Sequence, residues 1–520
     1  NGISAWGKCW ICRVSKLRGN GLQKIKLAKN TAASLLSQIT AIICGFILPR
    51  LILQSYGSDV NGLVNSIAQF LGIISFLELG VGAVIQSSLY KPLAEHDEHK
   101  VSEIIKSGNE FFRHLALLLL IYVLLIVGVY PLLVNRNFGY LYTATLIAAM
   151  SISSFAQYYF GIVNSLLLNA DQRGYIQYNA QTITVLANTM VCAVLVSQGH
   201  SIQLVKLTTS LIYLARPVVM QLYVNKKYRI DSKTVCKEEP IKQKWNGVAQ
   251  HIAATVLDNT DTVVLTAFST LANVSIYSVY YLVISGVKRL FLASTNGIQA
   301  MLGELWAKQE KDQLWSTFSW VEWAIHTGTT YVFGCTAALI VAFVRVYTKG
   351  VSDANYIQPT FALVLTLAHT MHCLRLPYNI MVLAAGHYRQ TQRNYIVAAV
   401  LNITVSVLVV YYWGLVGVAA GTLVAMAYQT LWLAKYNSQN LIRWPLKNVI
   451  KQFLTDAVTA GAIIGIGTLM KMKAVSYAGW AILAIQVALM ALVIVILITI
   501  VFYREKTTWL FKKLKKKVGR

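Results

Sequence analysis

Four apolar stretches of this 520-residue chain carry polar and ionisable side chains at helical spacing. In 246–267, His251, Asp258, Asp261 and Thr262 fall on one helix face. In 273–301, Tyr281, Ser285, Lys288 and Thr295 form a second stripe, with Arg289 beside it. In 357–383, His372, Arg375 and Asn379 follow one another at three and four residues, with His369 a turn back. In 141–168, Gln157, Gly161 and Asn164 repeat the pattern with neutral groups. Glu78 lies well inside a further apolar stretch, and Arg50 ends the first one. A charge at the centre of a membrane helix costs about 2.5–3.5 kcal/mol on insertion scales, so such residues face protein or a wet cavity.

The chemistry these types suit is anion binding. Lys288, Arg289 and Arg375 would attract a phosphate or pyrophosphate, arginine through a planar fork and lysine as a compact point charge. Arg50, His372 and the amides of Gln157, Asn164 and Asn379 complete the candidate binding set. Asp258, Asp261 and Glu78 would pair with the cations when the site is empty, or take up a coupling H⁺ or Na⁺. The competing reading is structural: buried ion pairs and hydrogen bonds that hold helices together. Arg50, Lys206 and Arg216 lie near span ends, where long side chains snorkel to the headgroups. His326 reads as packing.

The elements that position these residues are long helices. Hydrophobic residues make up 56% of the chain and charged ones only 13%, against roughly 25% in soluble proteins. Apolar runs of 20 residues or so cross roughly 30 Å of hydrocarbon at about 1.5 Å per residue, and in lipid the backbone must satisfy itself as helix. Fourteen spans are expected: 30–53, 61–90, 111–134, 141–168, 175–197, 202–223, 246–267, 273–301, 318–344, 357–383, 394–412, 415–434, 453–469 and 475–502.

The net charge of +26 does not point to nucleic acid, because its distribution encodes topology. With the N-terminal tail assigned to the cytoplasm, cytoplasmic segments hold 35 Lys and Arg and the outer loops five, leaving six inside spans. Both tails are therefore expected in the cytoplasm. No cleavable signal peptide is apparent in residues 1–29. Cys44, Cys192, Cys335 and Cys373 read as packing residues, and the Cys9/Cys12 pair, lacking a second pair, as incidental rather than a metal site.

The basic connector at 226–244 divides the chain, and an internal repeat spans it. Shifted by 215 residues, 164–189 aligns with 379–404 at eight identities in 26 positions, including Asn164 with Asn379, Gln177 with Gln392 and Asn179 with Asn394. The same shift pairs Gln157 with His372. The expected plan is an all-α integral membrane protein of two pseudosymmetric six-helix bundles plus two C-terminal helices. In order, 1–29 is a basic cytoplasmic tail, 30–223 the first lobe, 224–245 a basic linker and 246–434 the second lobe. A cytoplasmic loop at 435–452, the last helix pair at 453–503 and a basic tail at 504–520 follow. Parallel repeats of this kind suit a transporter with its substrate path between lobes near the midplane. Phosphate-loop, HExxH and nucleophile-elbow patterns are absent, which argues against an enzyme or an ATP-driven pump; no cofactor is expected beyond a coupling ion.

Three stretches resemble a known family. They are GSDVNGLVNSIAQFLGIISFLELGVGAVIQSSLYKPLAEHD (57–97), YFGIVNSLLLNADQRGYI (159–176) and LDNTDTVVLTAFSTLANVSIYSVYYLV (257–283). The chain resembles the polysaccharide repeat-unit flippases of the Wzx type, within the multidrug/oligosaccharidyl-lipid/polysaccharide exporter superfamily that includes the MATE drug exporters. The resemblance implies alternating access by two MATE-like bundles and flipping of undecaprenyl-pyrophosphate-linked oligosaccharides for capsule, O-antigen or exopolysaccharide synthesis. Its implied partners are membrane lipids, a polysaccharide polymerase and glycosyltransferases; its implied place is the bacterial inner membrane. Relatives that flip peptidoglycan precursors carry arginines in helix one, where this chain has only Arg50. Two other readings stand beside it. A MATE-like exporter of cationic drugs would want net negative charge and aromatic faces. A membrane glycosyltransferase or polymerase would want a large outer loop with carboxylates.

Overall fold

The computed structural model describes residues 3–73, 81–134, 138–231 and 248–509, with 3–28, 83, 133–134, 248–255, 258, 294 and 296 given by backbone alone. These residues form helices and connecting turns, with no strand among them. In chain order the helices are α1 (Ile3–Gly72), α2 (Val81–Glu95), α3 (Glu98–Val134), α4 (Tyr140–Ala156), a five-residue π-helical turn (Gln157–Gly161) and α5 (Ile162–Ala170). Then follow α6 (Tyr175–Ser197), α7 (Ile202–Lys227), α8 (Val248–Phe268), α9 (Leu271–Ala307), α10 (Lys311–Tyr347) and α11 (Pro359–Leu374). The last are α12 (Leu376–Ala384), α13 (Tyr388–Asn440), α14 (Leu446–Leu469) and α15 (Tyr477–Phe502).

Ten helices are long and apolar enough to cross a membrane by length and composition. Two of them bend at a glycine, α1 at Gly57 and α13 at Gly414, and each bend separates two expected spans. Dividing both there and adding α8 and the α11/α12 pair gives fourteen segments at the expected places, the second of which lies partly outside the described residues. The chain is an all-α integral membrane protein, and its surface fits lipid: Leu117, Leu118, Ile121, Leu124 and Leu125 of α3 are all exposed.

The chain divides into two compact units, one of 1–55 and 71–248, the other of 56–70 and 249–520. The start of the second expected span thus belongs to the second unit, and three observations show why. Gly57 adopts φ +82°, open to glycine at no steric cost. The following helix start is capped in trans by Asp353, whose carboxylate accepts from Ser58 N and Ser58 Oγ, each at 2.6 Å. At Gly62 any Cβ would collide with the Leu271 carbonyl oxygen, so the helix lies directly on the start of α9. Asn61 and Ser66 then hydrogen-bond Ser275 at 2.7 Å and Thr266 at 2.6 Å.

The repeat has a counterpart in backbone shape. In the first unit the π-turn at 157–161 interrupts α4 and α5; in the second, α11 and α12 part at Arg375. These interruptions coincide under the 215-residue shift.

Candidate functional site

The second unit gathers a buried cationic cluster. Pro377 stands in the first turn of α12, where its missing N–H is tolerated, and α11 ends just before it, leaving Arg375 at the junction. Arg375 is 7% exposed, Lys288 on α9 5%, and His372 and His369 on α11 6% and 2%. An Arg375 guanidinium nitrogen donates to His372 Nδ1 at 3.2 Å. Its Nε has no hydrogen-bond partner among the described residues. Lys288 is buried on α9, which packs against both α11 and α12. Tyr281, seven residues before Lys288 and so on the same face of α9, packs its ring 5.4 Å from His369. Two cations in low-dielectric surroundings bind an anion far more strongly than they would in water. Asn379, a turn beyond Arg375, is half-buried and accepts from the Tyr395 hydroxyl. Arg289 is exposed and does not share these buried surroundings, unlike the expected three-cation set.

Asp261 on α8 is 3% exposed. It accepts from Tyr277 Oη at 2.9 Å and from Thr422 Oγ1 at 2.6 and 2.7 Å. Tyr277 stacks on Tyr281 with ring centroids 5.6 Å apart. Asp261, Tyr277, Tyr281 and His369 therefore run as one contiguous chain of contacts toward the cations. Glu78 lies outside the described residues, as do the side chains of Asp258 and His251.

The first unit holds the neutral half of the expected set. Gln157, on the π-turn, lines a cavity of about 340 Å³ with Gln177, Gln181, Tyr213 and Arg216. Asn164 is a cross-link: its amide donates to the Phe160 carbonyl and to Gln221 Oε1, both at 2.8 Å. Arg50 is half-buried near the end of its span. Arg216 corrects the snorkelling expectation. Its Nε donates to Thr184 Oγ1 at 2.6 Å and its guanidinium carbon lies 3.8 Å over the Tyr213 ring, so it is held by the unit rather than drawn to headgroups.

Sequence reasoning missed a second buried polar group. His326, expected as packing, sits with Nδ1 2.6 Å from Asp456 of α14. The same carboxylate accepts from Thr330 and Gln452, each at 3.1 Å. One turn before His326, buried Glu322 accepts from Tyr378 Oη at 2.7 Å and Trp444 Nε1 at 2.9 Å. The signal was present: two acidic residues in expected spans, one of them four residues from a histidine.

No protein-family profile matches the chain, and no curated sequence matches it significantly. Its fold is similar to that of several solved membrane proteins. The lipid II flippase MurJ, in an inward closed conformation, aligns over 92% of this chain and 99% of its own at a TM-score of 0.67 and 13% identity. An inward-facing MATE-family multidrug resistance transporter of the MOP superfamily aligns over 77% of this chain and 94% of its own, at TM-score 0.56 and 14% identity. The Vibrio cholerae MATE transporter VcmN aligns over 81% and 98%, at TM-score 0.55 and 12% identity.

Proposed function

We propose that this protein is a flippase that moves undecaprenyl-pyrophosphate-linked oligosaccharide repeat units from the cytoplasmic to the outer leaflet for capsule, O-antigen or exopolysaccharide synthesis. The observation that carries the reading is the pair of buried cations inside the second unit, Lys288 on α9 and Arg375 at the junction of α11 and α12. Arg375 keeps its Nε without a hydrogen-bond partner among the described residues, an open donor that suits an anion which comes and goes. A phosphate-bearing lipid supplies it. One solved structure, aligned over 92% of this chain, is named as a flippase of lipid II, so a lipid-linked substrate suits this fold. Export of cationic drugs is the weaker reading, because these cations would repel the cargo.

Asp261 is the candidate coupling residue. Its three hydroxyl contacts hold a carboxylate in place, and the aromatic contacts through Tyr277 and Tyr281 link it to the cation cluster. Uptake of H⁺ or Na⁺ at Asp261 would change the field on those cations, favouring anion release on one side of the membrane. The protein acts in the inner membrane with both termini in the cytoplasm, supplied by glycosyltransferases and drained by a polymerase.

The test is genetic. Lys288→Ala and Arg375→Ala should each abolish surface polysaccharide in the native host while the protein remains in the membrane at normal level. Full polymer from both variants would refute the reading.

A further inference from the structure

We propose that the cavity of the first unit is a subsite for an acidic sugar, taking a saccharide ring that carries a carboxylate. The inference rests on the lipid-linked-sugar reading above and adds which sugar chemistry the cargo presents.

The cavity is built by the membrane-spanning helices α4, α6 and α7 and the π-turn between α4 and α5. π-turns cost hydrogen-bond geometry and often mark functional positions. This one sets Gln157 toward the cavity. At Gly161 a Cβ would sit 2.7 Å from Gln157 Oε1 and 3.1 Å from Pro217 Cβ, so glycine leaves room for the amide and α7 to approach this closely. At about 340 Å³ the space falls at the low end of ligand pockets, roughly 300–1,000 Å³, room for a sugar ring or two but not a lipid chain.

Its chemistry is specific. Arg216 is the single charged residue among those lining the cavity. Its partners among the described residues are Thr184 and Tyr213, neither of them acidic. Thr184 accepts from Nε and the guanidinium carbon lies 3.8 Å from the Tyr213 ring centroid, which holds the guanidinium in place as the cavity's one charged donor for a carboxylate. The side-chain amides of Gln157 and Gln181 make no hydrogen bond within the described residues and line the same wall. Amides offer one donor group and one acceptor each, the complement of sugar hydroxyls. A pyrophosphate would want more than one cation, and a cationic drug would want none.

The test is a saturation-transfer NMR titration of the full-length purified protein in detergent, with glucuronate, glucose and inorganic phosphate as probes. Wild type should bind glucuronate more tightly than glucose. Arg216→Gln should weaken glucuronate roughly tenfold or more while leaving glucose unchanged, since it removes only the charged fork. Gln181→Leu should weaken both sugars. Lys226→Gln, an exposed cation on the same helix, should change neither. Should Arg216→Gln fail to fold, Arg216→Lys serves, with charge kept and fork lost, and glucuronate should still bind several-fold more weakly. Equal glucuronate affinity in wild type and the Arg216 variants would overturn the proposal. So would phosphate displacing glucuronate as well as glucuronate displaces itself, which would mark a simple anion site. Polysaccharide loss in the Lys288 and Arg375 variants is independent of this result. A failed titration with that loss intact removes the subsite alone, and a successful titration with normal polymer removes the flippase reading alone.

Discussion

Replacing Arg375 with methionine separates a binding role from a structural one. Among the described residues Arg375 makes one hydrogen bond, to His372, and it is buried, as is Lys288 on α9. Removing the guanidinium relieves a buried charge worth about 2.5–3.5 kcal/mol on insertion scales. It forfeits one charged hydrogen bond worth about 1.5–3 kcal/mol. Methionine keeps the volume and suits an irregular buried site. The balance lies between about 0.5 kcal/mol against the variant and about 2 kcal/mol in its favour. At roughly 2–4 °C per kcal/mol for chains of moderate size, the midpoint should hold or rise by several degrees. An arginine serving as the partner in a buried ion pair would instead cost about 3–5 kcal/mol on removal, a fall of roughly 10 °C or more. The assay is fluorescence-detected size exclusion after graded heating in detergent, beside the polysaccharide phenotype. A variant as stable as wild type yet inactive supports a residue kept for binding. A large fall in midpoint would show that Arg375 holds the fold instead.

Three further outcomes follow from the geometry. Gly62→Ala should lower the thermal midpoint by an amount equivalent to about 1–3 kcal/mol of overpacking, because the Leu271 carbonyl it would strike is backbone; an unchanged midpoint would contradict the contact. Asp456→Leu should destabilise by about 2–6 kcal/mol, since it strands the buried donors of Thr330 and Gln452 beside His326, whereas Asp456→Asn should cost less in the same heating assay. Lys506, just past α15, is pushed from 10.5 down to about 8 by burial near Trp320 and Trp323, with Lys451 adding repulsion against the pull of Glu322. Below pH 8 folded and unfolded chains both carry this proton. Between about 8 and 10.5 only the unfolded chain keeps it, so stability should rise with pH across that window and the rise should vanish in Lys506→Met.

Much of the architecture was legible because lipid leaves few choices. Apolar runs long enough to span must be helices. The polar stripes on α9 and α11 could be read as well, because helical periodicity puts Tyr281 with Lys288 and His372 with Arg375. Other features depend on contacts that no local pattern carries. Arg289 is one position from Lys288, and only the rotation of α9 decides that one is buried and the other exposed. Arg216 looked like a headgroup anchor until Tyr213 and Thr184 were seen to hold it. The Asp456–His326 contact joins residues 130 apart, and the Asp353 cap on Ser58 joins residues 295 apart. The grouping of 56–70 with the second unit depends on the bend at Gly57 and the fit at Gly62, which a count of apolar spans does not register.

Binding of undecaprenyl pyrophosphate to the purified protein, followed by native mass spectrometry across a salt series, tests the central claim most directly. Wild type should retain the lipid with an affinity that falls as salt rises. The Lys288→Ala/Arg375→Ala double variant should lose it by roughly a hundredfold, each charge contributing about tenfold. Equal retention by the folded double variant would contradict the account.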